Sequence, residues 1–163
     1  MQNQQSYHLT YKIYQMISNV SEIEISYTPT QLSFNRQTIK CSNDFYEVFK
    51  QLFDAKLLNV REECFAIFLN RSNRIAGWYK VSSGGITGTV VDIRLTLSIA
   101  LKSLSSGLLI AHNHPSGNLM PSSIDKGLTV KLKEAANLMD IKLIDHLIIT
   151  NEGYYSFADE GEV

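Results

Sequence analysis

The stretch GLLIAHNHPSGNLMPSSID, residues 107–125, joins a short apolar run to a loop rich in histidine, proline and serine. The run at residues 107–111 is continuous and bounded by turn formers, which is typical of a strand buried on both faces of a sheet. After the loop, apolar residues recur at helical spacing: Ile124, Leu128, Leu132, Ala135 and Met139. We therefore expect the loop to lie at the C-terminal end of a central strand and to lead into a helix, a common place for a site in α/β proteins.

Strand patterns lie on both sides of this stretch. They cover SEIEISYT (21–28), ECFAIFLN (63–70), RIAGWYKVS (74–82), KLIDHLIIT (142–150) and GYYSFA (153–158). The segment RSN, residues 71–73, is predicted to be the turn between the second and third of these strands.

Two further helices are predicted upstream of the quoted stretch. In residues 41–58, with Ser42 or Asn43 as the cap, one face carries Phe45, Val48, Phe49, Leu52 and Phe53. In residues 92–104 a second stripe carries Ile93, Leu97, Ala100, Leu101 and Leu104. This order predicts an α/β sandwich with a mixed central sheet and flanking helices. It would form one compact unit, residues 41–163, after an N-terminal extension, residues 1–40, that contains the first strand.

The length, cysteine content and net charge of the chain limit the kinds of protein and site that the sequence can form. A chain of 163 residues that is 44% apolar and 19% charged is most simply one domain with an ordinary core. Cys41 and Cys64 are far apart, which argues against a disulfide framework and a four-cysteine zinc site, so any metal must use His, Asp or Glu. The net charge of −1 argues against nucleic-acid binding through a strongly basic surface.

The start of the chain, MQNQQSYHLT, has neither the basic region nor the apolar region of a signal peptide. No run approaches the roughly 18 apolar residues that span a bilayer. We therefore expect a soluble, cytoplasmic protein that does not enter a membrane.

The histidines of the loop have the spacing of a metal site. In an extended segment residues i and i+2 share a face, so His112 and His114 can address one ion while Asn113 points away. Ser122 then begins the helix that carries Asp125 on its first turn, which supplies an oxygen ligand. Two nitrogens, one oxygen and an open fourth position are typical of catalytic zinc. Ser122 and Asp125 also have the spacing of a helix capping box, and that structural explanation stays open.

The motif His-x-His followed by Pro-Ser-x-x-Asp resembles the signature of the JAMM (JAB-domain) metalloproteases, and LIAHNHPSG together with LIDHLII is similar to the RadC branch of that superfamily. The resemblance implies the cytidine-deaminase-like α/β fold of JAB/MPN domains. It also implies one Zn²⁺ and hydrolysis of a peptide or isopeptide bond in a peptide or protein substrate.

The same resemblance implies an upstream glutamate, and VREECFAIFLN offers two. The spacing to the motif Phe-Leu-Asn selects Glu62, which by strand parity shares a face with Cys64; Glu63 shares the opposite face with Phe65 and remains the alternative. In the implied mechanism Glu62 takes a proton from zinc-bound water and passes it to the leaving amine. Zinc and the Ser122 hydroxyl stabilise the oxyanion.

The sequence allows two interpretations of His146, of Asp145 and of the glycine-rich segment at residues 82–89. His146 either orients a metal ligand or is a hydrogen-bonded core residue, and the role of Asp145 is equally open. The glycines of SSGGITGT, residues 82–89, favour a mobile flap at the edge of the site over a phosphate-binding loop.

The alternative function is a RadC-like binding protein associated with DNA repair, with little or no catalysis. RadC-type chains commonly carry an N-terminal helix-hairpin-helix region, whereas residues 1–40 show no glycine-rich hairpin signature, which weakens a DNA role. A zinc deaminase would share the fold, but its His-x-Glu and Pro-Cys-x-x-Cys ligands are absent from the sequence. The complete ligand set favours the hydrolase over the binding protein.

Overall fold

A computed structural model of the protein describes residues 39–85 and 88–163. The extension predicted for residues 1–40, with its strand at 21–28, lies outside these ranges except for its last two residues. The elements are α1 (Ser42–Lys50), β1 (Glu63–Leu69), β2 (Ile75–Ser83), α2 (Ile93–Lys102), β3 (Gly107–Asn113), α3 (Ser123–Asn137), β4 (Lys142–Thr150) and β5 (Gly153–Ser156). Among the described residues, no helix combines the length and the apolar character needed to cross a bilayer.

The five strands form one mixed sheet in the order β2-β1-β3-β4-β5. β3 and β4 are parallel, and every other neighbouring pair is antiparallel. The parallel pair is joined by α3, as a crossover between parallel strands requires. The predicted α/β class and the central position of β3 are confirmed.

Both faces of the sheet are covered by helices. The side chains of β1 and β3 on the first face pack with α1: Phe65, Ile67, Leu69, Leu109 and Ala111. Those on the second face pack with α2 and α3: Ala66, Phe68, Leu108 and Ile110. β1 and β3 are buried along their whole length, which explains why their sequences are apolar runs rather than alternating patterns.

The first predicted helix is shorter than its hydrophobic pattern. α1 is capped by Cys41, not by Ser42 or Asn43, and it ends at Lys50. Asp54 starts a separate turn, since its carbonyl accepts from the amides of Leu57 and Leu58 and its carboxylate accepts from the amide of Lys56. An aspartate that bonds the backbone in this way competes with helix continuation.

The buried face of α2 differs in part from the predicted one. Helix α2 buries Thr96, Leu97 and Ala100, whereas Leu101 and Leu104, which were predicted to be buried, are exposed. Leu101 lies about 100° further round the helix than Ala100. Leu104 follows the helix with a positive φ of 51°, so it does not continue the stripe.

The predicted face of α3 is displaced as well. Ile124 is 79% exposed and Met139 is also exposed, while the helix buries Thr129, Leu132 and Ala136. Counting back by four from Thr129 gives Asp125, so the inward face of the first turn is polar. A search for apolar periodicity does not detect such a face.

Glu63 lies on the face of the sheet that α1 covers. Its carboxylate accepts from Arg61 Nη2 at 2.8 Å and from Lys80 Nζ at 2.7 Å. Burial alone would raise the pKa of Glu63, but the hydrogen bonds from Lys80 and Arg61 outweigh it and hold the pKa below its ordinary value. The carboxylate is therefore ionised, and it joins β1 to β2.

Glu63→Gln should lower the free energy of unfolding by about 1–2 kcal/mol at neutral pH, because the amide keeps the shape but loses the charge-assisted hydrogen bonds. Since the folded-state pKa is depressed, this advantage of the wild type exists above the ordinary pKa of 4.5 and disappears as the pH falls through the folded-state value. Urea unfolding of both proteins at neutral and acidic pH measures the difference. An equal gap at both pH values would contradict the assignment.

Candidate metal centre

Three potential metal ligands converge where β3 ends and α3 begins. His112 is the penultimate residue of β3, His114 follows the strand, and Asp125 lies in the first turn of α3. Nε2 of His112 is 3.0 Å from Nε2 of His114 and 3.2 Å from Oδ1 of Asp125. Nε2 of His114 is 3.6 Å from Oδ2 of Asp125. The structure thus brings together the three residues that the sequence predicts as ligands.

The spacing of these atoms fits a small divalent cation. Two ligand atoms that each lie about 2.05 Å from a tetrahedral ion are about 3.3 Å apart. The distances from His112 Nε2 to His114 Nε2 and to Asp125 Oδ1, 3.0 and 3.2 Å, are close to this value, and the 3.6 Å distance from His114 Nε2 is to the other carboxylate oxygen, Oδ2. Three protein ligands on a tetrahedral ion leave a fourth position for water or substrate.

His114 is oriented by the loop that follows it. Its Nδ1 lies 2.6 Å from the carbonyl oxygen of Asn118, and because a carbonyl only accepts, Nδ1 carries the proton and donates. In a neutral imidazole Nε2 then has a free lone pair, as a metal ligand needs. The loop turns back through Gly117, whose φ of 78° favours glycine and whose amide donates to the His114 carbonyl.

The electrostatics of the centre favour a bound positive charge. Burial alone would raise the pKa of Asp125, but hydrogen bonds from His112 and His114, when their Nε2 atoms carry a proton, and from Ser122 hold it well below its ordinary value. The hydrogen bond to Asp125 raises the pKa of His114 against the opposing effect of burial. A permanently ionised carboxylate therefore faces two imidazoles, and either a proton or a metal ion satisfies it.

Ser122 caps α3 in a complete capping box. The amide of Asp125 donates to Ser122 Oγ at 3.2 Å, and the amide of Ser122 donates to Asp125 Oδ2 at 2.7 Å. The Ser122 hydroxyl also donates to Oδ2, at 2.6 Å. Asp125 is therefore both part of the helix cap and a potential metal ligand. The predicted role of Ser122 at an oxyanion stays a prediction, since its hydroxyl is directed at Asp125.

Glu62 lies immediately before β1 at the edge of the centre. The antiparallel pairing of β1 with β3 ends at Cys64 and His112, two residues after Glu62 and two residues before His114. The charge of Glu62 adds to the larger effect of Asp125 in raising the pKa of His114. The structure therefore places Glu62 beside the potential ligands and Glu63 on the opposite face.

The glycine-rich segment after β2 holds the backbone of Glu62. The amide of Glu62 donates to the carbonyl of Gly85 at 2.9 Å, and the amide of Gly84 donates to the carbonyl of Glu62 at 2.8 Å. The amide of Gly85 donates to the carbonyl of Gly88, and a Cβ at position 84 would collide with that carbonyl. These amides are occupied within the chain, which disfavours a phosphate-binding role; residues 86 and 87 of the predicted flap lie outside the described ranges.

His146 and Asp145 lie on opposite faces of β4. His146 is a fully buried, hydrogen-bonded core residue, and its Nε2 is 2.9 Å from Nδ1 of the potential ligand His112. A role in orienting that ligand stays a prediction. Burial keeps the pKa of His146 well below its ordinary value. Asp145 instead accepts from Ser156 Oγ and from the amide of Ala158, which fastens the chain after β5.

Thr129 is a residue of the site that the sequence analysis did not single out. Its Oγ1 lies 2.7 Å from Nδ1 of His146 and donates to the carbonyl of Asp125, also at 2.7 Å. Its position four residues after Asp125 is the signal that could have found it, because residues i and i+4 lie on one face of a helix.

Comparison with known proteins agrees with the family resemblance of the sequence. The profile of the family described as RadC-like JAB domain matches residues 39–162. The chain is 50% identical to a UPF0758 protein of Flavobacterium johnsoniae over 100 residues, which are 61% of this chain and 44% of the relative. It is 35% identical to a UPF0758 protein of Coxiella burnetii over 150 residues, or 91% of this chain and 65% of the relative.

A UPF0758 protein of Aquifex aeolicus is 35% identical over 127 residues, which are 78% of this chain and 53% of the relative. The chain spans about half the length of most of the curated relatives it matches. The name UPF0758 specifies no activity, so it assigns neither a reaction nor a substrate to this chain.

Titration with Co²⁺ should saturate at about one ion per chain, with the visible absorption of a tetrahedral site. The variant carrying both His112→Ala and His114→Ala should lose this absorption because two of three ligands are gone. Glu63→Gln is the matched control, since Glu63 lies on the other face of the sheet. Equal Co²⁺ binding by the wild type and the double variant would show that the ion binds elsewhere.

Metal affinity should fall as the pH is lowered, because protons compete for Nε2 of His114. The raised pKa of His114 means that this loss begins above the ordinary imidazole value of 6.5. Below the actual pKa, affinity should drop about tenfold per pH unit for the displaced proton. Co²⁺ titrations between about pH 6 and 8.5 measure the slope; a flat profile would mean that this imidazole is not a ligand.

Proposed function

The chain belongs to the RadC-like JAB domain family, and on that premise we propose that it is a zinc-dependent hydrolase that cleaves a peptide or isopeptide bond. The observation that carries the proposal is the convergence of Nε2 of His112, Nε2 of His114 and the carboxylate of Asp125, whose potential ligand atoms lie within 4.8 Å of one another. The position of Glu62 beside it supplies a group that can exchange protons.

The donor set supports zinc over magnesium or calcium. Two imidazole nitrogens and one carboxylate oxygen suit Zn²⁺, whereas Mg²⁺ and Ca²⁺ prefer oxygen ligands alone. His112, His114 and Asp125 would hold the ion, and each is already fixed by a hydrogen bond to a neighbour. When bound, the ion would supply a Lewis acid that polarises a carbonyl and makes water nucleophilic near neutral pH.

The proton transfers of hydrolysis fall to Glu62 in this proposal. Its carboxylate takes a proton from the attacking water and then donates it to the leaving amine. The amide and carbonyl of Glu62 are both bonded to the glycine segment, which fixes the point from which the side chain extends. The side chain is partly exposed, so water and substrate can reach it.

Ser122 would help to stabilise the oxyanion in the same reaction. Its hydroxyl donates to Asp125 Oδ2, so this role requires the hydroxyl to rotate towards substrate. The amide of Ser122 would still donate to Asp125 Oδ2 after that rotation, which keeps the ligand in place. The serine therefore has a spare donor that the capping box does not need.

Glu62→Gln should leave the fold and the bound metal unchanged but reduce hydrolysis by about 10²–10⁴-fold, because an amide cannot accept the proton. Glu63→Gln is the matched control and should keep the activity of the wild type. Zinc-loaded wild type, both variants and a chelator-treated sample are assayed on a broad library of peptides and isopeptides.

Two results would overturn the proposal. The first is full activity of Glu62→Gln together with an inactive, folded Glu63→Gln. The second is the absence of cleavage by the zinc-loaded wild type across the library combined with submicromolar, salt-resistant binding of DNA. A chain of net charge −1 gains little DNA affinity from counterion release. Tight, salt-resistant binding would therefore not come from general charge attraction and would favour the DNA-associated alternative.

A further inference from the structure

A line of buried hydrogen bonds runs beneath the metal centre and ends at two of its ligands. It begins at Nδ1 of His112, which lies 2.9 Å from Nε2 of His146. Nδ1 of His146 lies 2.7 Å from Oγ1 of Thr129. That hydroxyl donates to the carbonyl of Asp125 at 2.7 Å. The line therefore connects β3, β4 and α3 from inside the protein.

With both imidazoles neutral, only one placement of protons satisfies every contact in this line. The Asp125 carbonyl cannot donate, so the single proton of the Thr129 hydroxyl points to it. Oγ1 can then only accept from His146, which puts the proton of that neutral imidazole on Nδ1 and leaves Nε2 as an acceptor. His112 must therefore donate from Nδ1, and in the neutral form of this imidazole Nε2 is the nitrogen without a proton.

The ring of His146 is held in this orientation by packing. It stacks on Phe157 with the ring centroids 4.7 Å apart and the planes 7° from parallel. His146 and Thr129 are both at most 1% exposed, so water does not offer either group another partner. Within the described residues, no buried side-chain nitrogen or oxygen lacks a hydrogen-bond partner. The orientation of the ring and the placement of its protons therefore reinforce each other.

We propose that His146 and Thr129 are positioning residues that fix the tautomer of His112, so that its Nε2 is bare and directed at the metal. The proposal rests on the proposed function, since it takes His112 as a ligand. It assigns to Thr129 a role that acts through two other side chains: the hydroxyl selects the proton position on His146, and His146 selects it on His112. Partners of this kind typically change metal affinity by about 10–100-fold.

Thr129→Val is the discriminating variant, because valine has nearly the shape of threonine but offers His146 no acceptor. An N–H buried against a methyl group is costly, so His146 moves its proton to Nε2 and donates to His112. His112 is then driven to carry its proton on Nε2, the nitrogen that should bind the metal. Thr129→Ser retains the hydroxyl and is the matched control.

The proton positions are measured directly in metal-free protein by long-range ¹H–¹⁵N correlation of the imidazoles, at about pH 8.5, where ordinary histidines are neutral. Co²⁺ affinity is measured on the same samples. We expect the wild type and Thr129→Ser to carry the His112 proton on Nδ1. Thr129→Val should shift it towards Nε2 and bind Co²⁺ about 10–100-fold more weakly. His146→Phe, which keeps the stacked ring, should weaken Co²⁺ binding to a similar degree.

Three results decide between this inference and its rivals. A His112 proton on Nε2 in the wild type overturns it, whether or not any variant folds. A folded Thr129→Val with the proton position and Co²⁺ affinity of the wild type also overturns it. If the wild type binds no metal but Thr129→Val still moves the His112 proton, the tautomer control is supported and the proposed function is what fails.

Discussion

The carboxylate of Asp125 is the group on which the site and the rotation of α3 both depend. One of its oxygens accepts two hydrogen bonds from Ser122, and the other faces His112. A negative charge in the first turn of a helix is stabilised by the unpaired amides there. Because this charge must also meet the imidazoles, the helix turns its Asp125 side towards the sheet, which leaves Ile124 in solvent and brings Thr129 under the centre.

The centre is consequently a property of one β-α-β unit rather than of a loop alone. β3 and the loop after it supply the imidazoles, α3 supplies the carboxylate, and β4 supplies the buried histidine that contacts His112. The parallel pairing of β3 with β4 sets His146 beside Ile110, two residues before His112 on the same face. Any change that shifts the register of these two strands would separate His146 from His112. The pairing of β3 with β4 therefore fixes the geometry of the site.

The sequence predicts the strands and the convergence of the ligands because both follow from local patterns. Apolar runs identify β1, β3 and β4, and the alternation of side chains explains why His112 and His114 share a face. The helix faces are predicted less well, since α3 directs Asp125 and Thr129 inward and leaves Ile124 outside. The spacing of Thr129 from Asp125 places it on the same face of α3, but its contact with His146 could not be predicted, because His146 lies on another element. Glu62 was selected through the family resemblance, and the hydrogen bonds of its backbone to Gly84 and Gly85 were likewise not predictable from local sequence.

The backbone of Glu62 is held by a different part of the chain from the potential metal ligands. The potential ligands come from β3, the loop after it and α3. The backbone of Glu62 is hydrogen-bonded to Gly84 and Gly85, at the open end of the β1–β2 hairpin. In the proposed function, the metal ligands and the proton-transfer group are therefore supplied by separate stretches of polypeptide. A substitution in the hairpin can then change the proton-transfer group while all three potential ligands are retained.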